Sequence, residues 1–161
     1  MDGRASRRSA WGLGDFFAQV SDDLELYAAQ LGWLHATPKA AKGKGGKESP
    51  RISQYGDPPL PDISVGEYLI GYWQQAGMVE SGGFGALPLA YTSITGWQEC
   101  TGIELDAWES LTIRQMSRAY CRALADGEDR NAPPPWCDMD AVRKSAVNDK
   151  IRAVFGARAK R

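Results

Sequence analysis

Two stretches of this chain resist helix formation, and they decide how the rest can fold. Residues 38–62 contain Lys42-Gly43-Lys44-Gly45-Gly46-Lys47, then Ser49-Pro50, then Asp57-Pro58-Pro59-Leu60-Pro61. Residues 131–137 contain three consecutive prolines at 133–135. Proline removes a backbone donor and glycine raises the entropic cost of order, so neither stretch sustains a periodic element. The first reads as a flexible linker that stiffens toward its proline end, and the second as a shorter one.

The remaining blocks carry helical periodicity. Across 11–35, Leu13, Phe16, Phe17, Val20, Leu24, Tyr27 and Leu31 recur at spacings of three and four. Ser21-Asp22-Asp23 can cap a separate shorter helix, which places a break near Val20, and Gly32 followed by Pro38 ends the pattern. Residues 64–77 resume helix, with Ser64 as N-cap, Glu67 as its capping-box partner and Gly77 as C-cap. Their stripe is Val65, Tyr68, Leu69, Tyr72, Trp73 and Ala76.

Ser81-Gly82-Gly83-Phe84-Gly85 then reads as a mobile turn, and Leu87-Pro88-Leu89 as extended chain. A third helix starts at Thr92 or Ser93 and stops at Thr101-Gly102. A fourth is capped by Asp106 with Glu109 and ended by Gly127. Its apolar face takes in Leu105, Trp108, Leu111, Thr112, Met116, Ala119, Tyr120 and Ala123. After the prolines, a basic helix is expected through about Phe155. The expectation is an all-α protein with an N-terminal helical arm (1–37), a flexible linker (38–62) and a small three-helix core (63–127). A Pro-rich linker and basic C-terminal helix (128–161) complete it.

Charge and chemistry narrow the function. The net charge is −1, but the basic residues concentrate at the two ends. Basic ends of this kind are most simply solvated tails. The cysteines Cys100, Cys121 and Cys137 show no paired spacing, and no apolar run is long enough to span a bilayer. Free thiols in a reducing cytoplasm are expected, with no hydrophobic leader after Met1. The single histidine, His35, reads as a surface residue at a fraying helix end. The glycine loop lacks the Gly-Lys-Ser/Thr ending of a phosphate loop and follows no strand. Glu104, Asp106 and Glu109 are accounted for by helix capping. No catalytic, cofactor-binding or metal-ligating set is expected, and the chain is read as a non-enzyme.

Aromatic residues remain. Tyr68, Tyr72, Trp73, Phe84, Tyr91, Trp97, Trp108 and Tyr120 fall in one short stretch. Trp97, Trp108, Leu111, Met116 and Tyr120 read as core. A unit of three short helices has too little interior for all the rings, and those left outside mark a partner surface. Tyr72, Trp73, Gly83, Phe84 and Gly85 are the expected partner-binding residues, because they lie around the glycine loop.

The order of several short motifs carries a family resemblance. They are Gly66-Glu67-Tyr68-Leu69-Ile70-Gly71-Tyr72-Trp73, Ala76-Gly77, Gly83-Phe84-Gly85, Pro88-Leu89 and Ile94-x-x-Trp97. Thr101-Gly102-Ile103-Glu104-Leu105, Trp108-Glu109 and Met116-Ser117-Arg118-Ala119-Tyr120 follow. This order resembles the tail assembly chaperones of tailed bacteriophages and prophages, over about a third of the chain. The resemblance implies a protein of the bacterial host cytoplasm, absent from the mature virion. It would bind the tape measure protein, keep it soluble and help recruit the major tail protein. Self-association is compatible with it, a membrane is not expected, and the Lys/Gly run at 42–47 would suit a frameshift junction.

Two alternatives compete. The helices at 92–100 and 106–125 can form a helix-turn-helix, although Asp106 and Glu109 at the start of the second would repel phosphates, which makes nucleic acid an unfavoured partner. A minor structural tail or connector protein of the virion is the other.

Overall fold

The computed structural model describes residues 12–39, 48–55, 60–83 and 85–136. In chain order the elements are α1 (Leu13–His35), a 3-10 turn (Arg51–Gln54), α2 (Glu67–Gln75), β1 (Val79–Gly82), β2 (Gly85–Pro88), α3 (Tyr91–Thr101) and α4 (Ala107–Asp126). The protein is mainly helical, with one small antiparallel hairpin in which Val79 faces Pro88 and Gly82 faces Gly85.

α1 and α4 form the frame. Their contacts advance together along both helices, Ser21 with Thr112, then Gly32 with Tyr120, then Ala36 with Gly127, so the two run parallel. α1 is therefore part of the core and not an arm beside it. Val20, Leu24, Ala28 and Leu31 share one buried cluster with Leu69, Trp73, Ile94, Ile113, Met116 and Tyr120. The helix is also unbroken at Val20. Ser21 there is buried and engages Thr112 at 3.2 Å, so it serves tertiary packing and caps nothing. Gly32 does not end the helix; its missing side chain lets the Tyr120 backbone approach.

The other elements close the core from the sides. α4 starts as expected, with the Glu109 N–H donating to Asp106 at 2.8 Å and the Asp106 N–H donating back to Glu109 at 2.8 Å. α3 runs to Thr101 and stops at Gly102, which takes a left-handed conformation. α2 differs from expectation at its start. Ser64 caps nothing, and the N-cap is Gly66 at φ 82°, where a side chain would also strike Val20 and Leu24.

The hairpin is fastened to both neighbours. Glu80 accepts from the Ala90 N–H at 2.8 Å and from the Ser93 hydroxyl at 2.6 Å, satisfying donors at the start of α3. These two bonds, Ser93 foremost, hold the Glu80 carboxyl below its ordinary pKa. Buried Ser117 accepts from the Leu89 N–H at 2.9 Å and donates to the Met78 carbonyl at 2.6 Å. Met78 sits at φ 62°, a conformation rare outside glycine, and its carbonyl also receives the Trp73 indole N–H at 2.8 Å.

A satellite cluster covers the far end of α1. Residues 48–55, expected as part of a linker, are anchored there. Arg51 is buried, donates to the carbonyls of Gly127 at 2.9 Å and Asp129 at 2.6 Å, and stacks 4.2 Å over Trp33. Trp33, Tyr55 and Trp136 meet edge-on around it. His35 is not a free surface residue either. Its Nδ1 and the Tyr120 hydroxyl form a hydrogen bond of 2.8 Å, and burial lowers its pKa. The expected basic helix after residue 137 and the Lys/Gly run at 42–47 lie outside the described residues.

Candidate functional site

Phe16 and Phe17 are adjacent on α1, and successive helical residues point about 100° apart. The pair continues the face of the buried row Val20, Leu24, Ala28 and Leu31 one turn toward the helix start, where Phe16 is 46% and Phe17 39% exposed. The Phe17 ring lies 4.9 Å from the indole of Trp108, whose N–H donates to Ser21 at 2.9 Å. Trp108 is thereby held half-buried in the first turn of α4, with one side against α1.

A second aromatic run crosses α2 and α3. Tyr68 packs edge-on against Tyr72 at 5.4 Å, and Tyr72 lies 5.3 Å from Trp97. Tyr68 is 46% exposed, yet its position is fixed. Its hydroxyl donates to Glu109 at 2.7 Å, beside Trp108. Partial burial and then the Glu109 carboxylate push the Tyr68 phenol up to about 12, so it stays a donor at neutral pH. The Tyr68–Glu109 bond links this run to the first turn of α4, which also carries Trp108, and the two runs together make a ribbon that draws on four helices. Val65, 49% exposed, adds an aliphatic contact surface before α2.

The expected partner-binding residues divide. Tyr72 is half-buried and belongs to the ribbon. Trp73 is 0% exposed, packs edge-on against Tyr120 and takes no part in any surface. The physical reason is the shortness of α2. Only Leu69 and Trp73 reach inward, and the turn after the helix folds back so that the Met78 carbonyl meets the indole N–H. Gly83 and Gly85 are exposed at the hairpin tip, whereas the ribbon is built on the helices. Phe84 lies outside the described residues.

The core expectation also shifts by one position on α4. Leu111 is 50% exposed, and the buried face is Thr112, Ile113, Met116, Ser117, Tyr120 and Ala123. The ribbon residues that the sequence reading passed over are Phe16, Phe17, Val65 and Tyr68, and Trp97 and Trp108, expected in the core, are only half-buried and also belong to it. The adjacent Phe pair was the signal for the first two, because it lies near the start of α1, ahead of the buried row that opens at Val20.

This surface offers stacked rings, two of which, Tyr68 and Trp108, are held at their edges by hydrogen bonds, and it is suited to covering apolar groups. Among the described residues no group of three or more His, Cys, Asp or Glu side chains could hold a metal ion, and no helix is long and apolar enough to cross a membrane. Cys100 is exposed and Cys121 half-buried, both as free thiols. No protein-family model, no curated protein and no solved structure matches this chain.

Proposed function

We propose that this protein is a binding module for apolar helical segments of other proteins and acts as a phage tail assembly chaperone. It would hold the tape measure protein soluble in the host cytoplasm before the tail forms and help bring in the major tail protein. The observation that carries this reading is the exposed aromatic ribbon. Its residues Tyr68, Tyr72, Trp97, Trp108 and Glu109 are also members of the motifs that resemble that family.

The physical fit is direct. A long amphipathic helix aggregates unless its apolar stripe is covered, and a row of part-exposed rings covers it without a deep pocket. Rings lose little conformational entropy on binding, and these are already positioned by their neighbours. The helix-turn-helix alternative draws less support. Trp108 and Glu109 in the first turn of α4 are committed to Phe17, Ser21 and Tyr68, and Arg114 stacks on Tyr91 at 4.7 Å.

Co-expression with a tape measure protein tests the proposal. The chain should co-purify with it and raise its soluble yield, and Phe17→Ser with Tyr68→Ser should abolish both effects while leaving the fold intact. Failure of the wild-type chain on both counts would refute the chaperone reading. Recovery of the chain from purified particles by mass spectrometry would favour the structural alternative.

A further inference from the structure

Two open clefts flank the segment 61–65 and share Asp62 and Ile63 as a common wall. One lies against α1, with Phe16, Val20 and Val65 as its apolar floor and Asp23 at its edge. The other lies against α2, between Tyr27 and Ile70, with Glu67 at its edge. Among the described residues every ionised side chain on either wall is a carboxylate. The ion pairs among the described residues, Lys39 with Glu128 and Arg130 with Glu48, lie elsewhere. α1 adds to the same field, because residues 13–35 carry Asp15, Asp22, Asp23 and Glu25 but neither lysine nor arginine.

We infer that the segment this protein takes is a basic amphipathic helix, one whose apolar stripe is bordered by lysine or arginine. The inference rests on the binding-module reading above and adds its charge. The apolar side chains of such a helix seat against Phe16 and Val65. Its lysine or arginine stems run along the cleft wall and place their cations at Asp23, Asp62 and Glu67. A neutral apolar helix gains only the floor. An acidic one meets three carboxylates with no lysine or arginine lining either cleft among the described residues, and like charges across an interface exclude a partner more sharply than opposite charges hold one. The rim is exposed to solvent, so its contribution appears as faster association at low salt and fades as salt rises.

The test uses the full chain and three synthetic helical peptides with one Leu/Ile stripe and flanks of Lys, Gln or Glu, followed by fluorescence anisotropy. The Lys peptide should bind about tenfold more tightly than the Gln peptide at low salt, with the Glu peptide weakest, and the advantage should vanish at high salt. Asp23→Asn with Asp62→Asn should reduce the Lys advantage to about twofold and leave the Gln peptide unaffected. Phe16→Ser should weaken Lys and Gln peptides alike, with circular dichroism confirming the fold of each variant. Equal binding of Lys and Gln peptides would overturn the inference and leave the binding-module reading standing. Binding of none would overturn both. A dimer that the cleft substitutions dissolve, and that no peptide displaces, would make a second copy of this chain the occupant and also overturn it.

Discussion

Replacing Gly32 by alanine should destabilise this protein, although the same change stabilises most helices. A Cβ at Gly32 would overlap the Tyr120 carbonyl oxygen and lie 3.0 Å from its carbonyl carbon and Cα. Those atoms belong to the α4 backbone and cannot rotate aside, so the two helices must part by about 1 Å. Leu31, Met116 and Tyr120 seal the crossing. Each contributes about 2 kcal/mol through burial, and a gap of that size forfeits a quarter to a half of the local contacts. Together with the strain of overpacking, the loss comes to about 3 kcal/mol. Alanine returns about 1 kcal/mol of helix propensity, for a net destabilisation of about 2 kcal/mol. In a chain of this size that is a fall in Tm of about 4–8 °C. Gly71→Ala is the matched control. Gly71 lies inside α2, a Cβ there meets nothing within 4 Å, and it should raise stability by about 0.5–1 kcal/mol. Thermal and urea unfolding followed by circular dichroism measure both. A Gly32→Ala protein as stable as the wild type would refute the close parallel packing of α1 on α4.

Ser117→Ala leaves the buried Leu89 N–H without its acceptor. It should cost about 1–3 kcal/mol in urea unfolding and accelerate hydrogen exchange at the Leu89 amide. Arg51→Lys loses the two-pronged bond to Gly127 and Asp129 and the stacking on Trp33. A loss of about 2 kcal/mol is expected, with a red shift in tryptophan emission as the satellite cluster loosens. Burial holds the His35 pKa below its ordinary 6.5, so the unfolded chain takes up the proton first. This contribution to stability is complete above about pH 6.5 and is lost as pH falls through the lower folded value. The urea midpoint should therefore drop between about pH 7.5 and 5.5, and His35→Gln should remove that part of the slope.

The helices were legible because each carries its own local signals. Asp106 with Glu109 opens α4 and Gly102 closes α3, and both need only neighbouring residues to act. The hairpin was not legible, since strands of four residues bounded by Gly82 and Gly85 give no alternation to read. The pairing of α1 with α4 was hidden for another reason. It joins residues about ninety positions apart, and its marks are small or polar residues on an apolar face, Ser21, Gly32 and Thr112, which look like interruptions until the partner helix is in place. Trp73 illustrates the limit of proximity arguments at the candidate site. Its nearness to the glycine loop suggested a surface, while its position in the apolar stripe of α2 is the feature that in fact buries it. Tyr72, its neighbour, does reach the surface because it faces Tyr68 and Trp97.

The turn at 128–130 holds both Lys39 and Glu48. Lys39 donates its backbone N–H to the Glu128 carbonyl at 2.9 Å and pairs with the Glu128 carboxylate at 2.7 Å, and Glu48 pairs with Arg130 at 2.7 Å. The chain thus departs from and returns to the same place. With both anchors held at one turn, the closure entropy of a longer connection between them grows only with the logarithm of its length, at about 0.6 kcal/mol per doubling. α1 is 23 residues long, so this point lies about 30 Å from Phe16 and Phe17. A fluorophore, affinity tag or fused domain placed there should leave the helical frame and the aromatic ribbon untouched, which makes it the natural handle for every binding measurement on this protein.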